Sequence, residues 1–188
     1  YFRPQNNVVL EAGSRYKYTV KVNATGLTLE GCTIGSWVDG GGESGAAEDL
    51  GYIYDSNTKT YTVYNADGLM NIAELVNGGK TDINITLTAD IDLTGKNWTP
   101  IGTDYDNSYK GTFDGGGHTI TGLTFTTNDE YVGLFGWLNR AGTVKNVVME
   151  GVQITSHQIY GGSIGGVAGF SWGTIENCSV SGSVSGTV

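Results

Sequence analysis

Along most of this chain apolar and polar side chains take turns, and the rhythm changes once. In Arg15-Tyr-Lys-Tyr-Thr-Val-Lys-Val22 the set Tyr16, Tyr18, Val20 and Val22 alternates with Arg15, Lys17, Thr19 and Lys21. The same period of two runs through Thr60 to Tyr64, through Ile83 to Leu93 and through Val147 to Ile154. Successive side chains of a strand point to opposite faces, so each stretch predicts a strand with one buried and one wet face. Between 66 and 77 the period lengthens. Leu69, Ile72, Ala73, Leu75 and Val76 fall on one stripe of a helix, with Asn65 or Asp67 as N-cap and Gly78-Gly79 as stop. The pattern predicts one amphipathic helix in an all-β chain.

The alternating stretches also repeat. Gly133-Leu-Phe-Gly136 and Gly142-Thr-Val-Lys-Asn146 return as Gly166-Val-Ala-Gly169 and Gly173-Thr-Ile-Glu-Asn177, with Asn146 and Asn177 lying 31 positions apart. Repeats of this length mean one structural unit stacked on the next. A propeller blade needs about 40 residues or more, and the Leu register of a leucine-rich repeat is absent. The expected fold is therefore a right-handed parallel β-helix, a solenoid of stacked coils. Aligning His118 to Phe125 with Gly142 to Met149 places Ile120, Val144 and Ile175 in one column. A second column would hold Leu123, Val147 and Cys178, and a third Phe125, Met149 and Val180. The step would then be 24 residues between the first two copies and 31 between the next. Gly and Asn would turn the corners, with Asn146 and Asn177 forming a short amide ladder.

This pattern divides the chain into residues 1–50 and 51–188. The first part holds antiparallel strands of a partial β-sandwich, too few to close an ordinary sheet over their own core, and ends in a Gly-rich acidic linker at 39–50. The second is the parallel β-helix, whose first coil the helix near 66–77 would cover. Tyr1 starts in mid-pattern and no cap follows Val184, so the chain is expected to be a piece of a larger protein with further coils.

Composition narrows the function. Of 188 residues, 31 are Gly and 2 are Pro, yet 38% are apolar, which reads as many turns between short strands and not as disorder. Net charge is −9 with no Lys/Arg cluster, so nucleic acid and anionic membranes are poor partners. No apolar run reaches the roughly 20 residues of a membrane span. Cys32 and Cys178 fall in different predicted domains, which argues against a disulfide between them. Cys178 shares a column with apolar residues and reads as a small buried hydrophobe.

Residues from about 60 to 188 resemble the GLUG-repeat β-helix segments of secreted and surface proteins, especially in gut Bacteroidetes. The matching pieces are Asp67-Gly-Leu, Asp90-Ile-Asp-Leu93, Trp98-Thr-Pro-Ile-Gly102, Gly111 to His118, and Gly166-Val-Ala-Gly169 with Gly173 to Cys178. Residues 8–37 look like the C-terminal strands of fimbrillin-like domains, through Leu10-Glu-Ala-Gly13, Tyr16 to Val20 and Ile34-Gly-Ser-Trp37. Together the resemblances imply a cell-surface or secreted adhesin-like protein, often lipid-anchored upstream. Neither family carries a catalytic motif to transfer.

Few residues invite chemistry. Asp90 and Asp92 share a strand face, so their carboxylates would lie about 7 Å apart. That matches the spacing of an inverting glycosidase pair, and it also matches a solvent-facing strand. Asp104-Tyr-Asp-Asn107 begins like a calcium loop but lacks the Gly and Glu that complete one. His118 and His157 stand apart from any zinc spacing. Asp114-Gly-Gly-Gly117 has no following helix or Lys-Ser/Thr and reads as a tight corner, not a phosphate loop. Trp98, Trp137, Trp172, Tyr105, Tyr109, Tyr131 and Tyr160 would gather in loops leaving the coils, either stacking on sugars or partner proteins or covering the solenoid's edges.

The sequence thus predicts a non-enzymatic, cell-surface adhesin-like or structural module contacting an extracellular glycan or protein, with no catalytic residues, metal or cofactor. A β-helix polysaccharide lyase or glycoside hydrolase is the alternative.

Overall fold

The computed structural model describes residues 14–23, 26–36, 49–157 and 162–186. Leu10, Trp37, Tyr160 and the expected linker up to residue 48 lie outside them. The chain divides into two compact units, Tyr1–Ala47 and Glu48–Val188. In the first, β1 (Ser14–Asn23) pairs antiparallel with β2 (Gly26–Ser36). Thr19 faces Gly31 and Val20 faces Leu29, so the ladder carries a bulge there.

The second unit is a parallel β-solenoid of about three turns. It opens on an antiparallel hairpin of β3 (Tyr52–Asp55) and β4 (Thr60–Val63). Then come α1 (Ala66–Asn77), β5 (Asn84–Leu87) and β6 (Ile91–Asp92). The next turn holds β7 (Thr112–Asp114), β8 (Thr119–Thr121), β9 (Thr124–Thr127), β10 (Tyr131–Val132) and β11 (Phe135–Leu138). After it run β12 (Thr143–Lys145), β13 (Val148–Ser156), β14 (Ser163–Ile164) and β15 (Ala168–Ser171), and the last turn begins with β16 (Thr174–Glu176) and β17 (Ser179–Gly186).

Three walls result. One is a six-stranded sheet in the order β16-β12-β7-β5-β4-β3, parallel except for the β3–β4 pair. The second runs β17-β13-β8-β6, with β9 also on β13. The third joins β10 to β14 and β11 to β15, and isolated bridges tie Ile101 to Phe135 and Tyr109 to Leu138.

Inside, like residues lie over like. The first wall contributes Tyr61, Ile85, Phe113, Val144 and Ile175, each paired with the next. The second contributes Ile91, Ile120, Met149 and Val180. Except at the last coil these side chains are buried, each burial worth about 1.5–3 kcal/mol. Exposure rises at the C-terminal rung, to 42% at Ile175 and 43% at Val180, since β16 and β17 are edge strands among the described residues.

These registers revise the expected columns. Ile120 stands under Met149 in the second wall, and Phe113 occupies its expected place under Val144. Phe125 likewise pairs with Ile154, not Met149. The step is 31 residues at both rungs, from Phe113 to Val144 to Ile175, so the 24-residue step disappears. Thr-Ile-Thr, Thr-Phe-Asp and Thr-Val-Lys all read as three-residue strands with an apolar centre, and a period of two cannot tell one wall from another.

The helix caps the interior through Leu69, Ile72, Ala73 and Val76, all buried. Asn65 is the N-cap, its Oδ1 accepting from the Gly68 N–H at 2.8 Å. The edge of the first wall is closed differently. There β3, a strand the patterning did not reveal, lies antiparallel on β4.

The corner after the first wall is the expected amide ladder. Asn146 and Asn177 adopt φ of 54° and 52°. Asn177 Nδ2 donates to Asn146 Oδ1 at 3.4 Å, and Asn146 Nδ2 donates to Asp114 Oδ1 at 2.9 Å. In urea unfolding, Asn146→Ala is expected to cost about 1 kcal/mol more than Asn146→Gly. Both variants lose the side-chain bond, but only alanine is strained at positive φ. Equal midpoints would remove the left-handed corner as the reason for asparagine.

Candidate functional site

The third wall gathers aromatic rings. Trp137 and Phe170 are partners on successive coils, their centroids 4.3 Å apart. Gly136 and Gly169 precede them, and at each a Cβ would stand 2.4 Å from backbone of the neighbouring coil, so only glycine fits that approach. Around Trp137 stand Tyr131 at 4.5 Å, Trp172 at 5.6 Å and Tyr105 at 5.8 Å, all edge-to-face. Such pairs contribute about 0.5–1.5 kcal/mol each beyond burial.

The cluster has a covered centre and an open rim. Trp137 is 9% exposed, whereas Trp172 and Tyr105 are 51% and 60% exposed. The Trp137 Nε1–H is buried without a hydrogen-bond partner among the described residues. A buried orphan donor costs about 1–3 kcal/mol, so it marks a group left unsatisfied by the fold itself. Beside the cluster a cavity of about 260 Å³ is lined by Thr99, Pro100, Thr103, Asp129, Glu130 and Tyr131. A hydrogen bond to the Glu130 carboxylate raises the Tyr131 hydroxyl above its ordinary pKa.

The structure sorts the other expected aromatics differently. Trp98 is buried, with Nε1 donating to the Gly133 carbonyl at 3.2 Å. Tyr109 is fully buried, its hydroxyl donating to the Ile83 carbonyl at 2.9 Å, and desolvation drives its pKa upward. Both are core residues. Phe170 and the acids Asp129 and Glu130 were not singled out by sequence. The repeat held a signal for Phe170, since Gly169-Phe170 copies Gly136-Trp137.

The acidic candidates are engaged in turns or, for Asp90, by the next coil. Asp92 Oδ1 accepts from the Thr94 N–H at 2.9 Å, and hydrogen bonds from Thr94 lower its pKa, the opposite of what a general acid needs. Asp90 Oδ1 accepts from the Thr119 N–H at 2.9 Å and lies 3.4 Å from His118 Nδ1. Asp104 is wrapped by its own loop, accepting from the Asn107 backbone and amide and from the Thr103 hydroxyl. Asp114 Oδ1 accepts from the Gly116 N–H at 2.9 Å, and Gly116 and Gly117 take φ of 61° and 78°, which makes the glycine run a corner. Among the described residues no group of three or more His, Cys, Asp or Glu could hold a metal ion. Cys178 is half-buried with a free thiol, packed against the core and donating to the Glu176 carbonyl at 3.2 Å.

A family model described as the GLUG motif matches residues 160–185, the stretch carrying β14 to β17. The chain carries a GLUG motif. Two relatives extend the likeness beyond it. One is a halomucin of Haloquadratum walsbyi, 34% identical over 157 residues, covering 77% of this chain and 2% of that protein. The other is named "Putative Gly-rich membrane protein", from Evansella cellulosilytica, 38% identical over 100 residues, covering 52% of this chain and 11% of that protein. The chain thus spans a small part of the length of either relative. Neither name is that of an enzyme. No solved structure matches. Among the described residues no helix is long and apolar enough to cross a membrane.

The carboxylates that hold turns make stability depend on pH. Asp114 sits below its ordinary value chiefly through the Asn146 amide, and Asp104 chiefly through the Asn107 backbone N–H. A carboxyl with a lower pKa folded than unfolded stabilises the fold above the unfolded value of about 4, and loses that contribution as pH falls through the folded value. Melting temperature should therefore drop below pH ~4, and Asp114→Asn should flatten part of that drop. An unchanged acid limb in Asp114→Asn would exclude Asp114 as a contributor.

Proposed function

We propose that this chain is a non-enzymatic surface or secreted module of adhesin-like type, whose solenoid side wall contacts an extracellular glycan or protein. The observation that carries the reading is the aromatic cluster on the third wall, where Trp172 and Tyr105 stand half-exposed around a covered Trp137. Exposed aromatic rings on a rigid scaffold are efficient contact groups, because they bury much area while losing little side-chain freedom. The GLUG motif and a relative named as a membrane protein support placement at a cell surface. The Bacteroidetes type, a lipid anchor upstream and a fimbrillin-like origin for residues 1–50 belong to the same proposal. The antiparallel pairing of β1 with β2 supports the last of these.

Against the lyase or hydrolase alternative, Asp92 is bound into its own turn and Asp90 to the Thr119 N–H of the next coil. On an array of glycans and extracellular proteins, the Asp90→Asn/Asp92→Asn double variant is expected to bind as wild type does, with no reducing sugar released by either. Polysaccharide cleavage by wild type that the double variant loses would overturn the reading in favour of an enzyme.

A further inference from the structure

We infer that the aromatic cluster is a binding site for a neutral, polyhydroxylated glycan, and that the Trp137 indole N–H donates to one of its oxygens. The inference rests on the surface-contact reading above and assigns that contact a place and a ligand chemistry. Three features select the ligand class.

The first is shape. Trp172 and Tyr105 lie nearly perpendicular, 83° apart with centroids at 6.2 Å, and present half-exposed rings around the covered centre. A pyranose offers an apolar C–H face that stacks on such rings, while its edge remains polar. The second is the orphan donor. Indole N–H only donates, so its partner needs a lone pair. Ammonium and guanidinium groups have none to offer, and such a group placed against the N–H would leave it as it is. Tyr105 and Trp172 lie edge-to-face with Trp137 and are half-exposed, and the assignment requires them to turn aside as the acceptor enters.

The third is charge. The adjoining cavity carries the carboxylates of Asp129 and Glu130, and the chain's net charge is −9, so a uronate or sulfate is repelled. Sugar hydroxyls answer every one of these demands, accepting from Trp137 and donating to the lone pairs that Tyr131 leaves on Glu130 and Thr127 leaves on Asp129. A peptide backbone also brings carbonyl acceptors, but only one N–H per residue, and further donors would have to come from its side chains. The acceptor-rich lining favours the sugar.

Electrophoresis through gels containing galactomannan, polygalacturonate or chitosan tests the assignment. Wild type should be retarded by the neutral galactomannan and not by the polygalacturonate. Trp172→Ala should weaken that retardation about tenfold, and Trp137→Phe, which keeps a ring and deletes the donor, about three- to tenfold. A thermal melt of each variant checks folding. Trp172 is exposed, so its variant keeps the test open should Trp137→Phe melt early.

Retardation by polygalacturonate or chitosan that Trp172→Ala abolishes would overturn the neutral-glycan assignment while leaving the contact surface in place. Retardation by galactomannan that Trp172→Ala leaves intact would overturn the site. A folded Trp137→Phe that binds as wild type does would overturn the role of the N–H. No retardation by any polymer would overturn the glycan assignment. Capture of array proteins, sensitive to Trp172→Ala, would then show the contact surface to be proteinaceous. No binding to any array member would overturn both readings.

Discussion

The structure depends on coil-over-coil registry in a parallel ladder. Backbone hydrogen bonds hold successive coils about 4.8 Å apart, a spacing set by the peptide group and not by side chains. Each interior residue must therefore fit the residue directly above and below it. The first wall shows the consequence, with Tyr61, Ile85, Phe113, Val144 and Ile175 in one file. Phe113 also meets Phe135 of the third wall edge-to-face at 5.3 Å, which joins the walls across the interior. A corner must recur at the same place in each coil, so Asn146 and Asn177 share both backbone conformation and hydrogen bonding. The two ends of the solenoid differ for the same reason. α1 covers the interior at one end, while at the other Ile175, Val180 and Val184 are exposed, with no described residue stacked upon them.

Registry orders the outside as well. Trp137 lies over Phe170 because the coils that carry them are in step, and the paired glycines before them are required by the same close approach. A stacked repeat brings like groups together. Here the acids Asp92, Asp104 and Asp114 are spent on holding turns, and their pKa values are pulled down together. What the repeat concentrates is aromatic surface. Among the described residues, the buried side-chain polar atom left without a hydrogen-bond partner is the Trp137 Nε1.

Much of this was legible in the residues. The helix over Ala66–Asn77 followed from its stripe, its Asn65 cap and the glycines after it, all of them local signals. The Asn ladder followed from two asparagines at the repeat distance. The phase of the strands was not legible, because Thr119-Ile120-Thr121 and Thr112-Phe113-Asp114 carry the same short pattern. Strand β3 escaped notice since its four residues, largely exposed on an edge, need no alternation. Of the aromatics, sequence named most of the cluster but could not separate Trp98 and Tyr109, which are core, from Trp172 and Tyr105, which are not.

Periodicity, capping and repeat length, then, determined by themselves that the chain forms strands, one helix and stacked coils, because these depend on neighbours along the sequence. Which strand stands on which wall, which aromatic rings are buried, and that five of them meet beside an acidic cavity were decided only by the tertiary structure. Those facts depend on how three walls close around a shared interior, and residues about 30 positions apart become neighbours only when the coils lock into register.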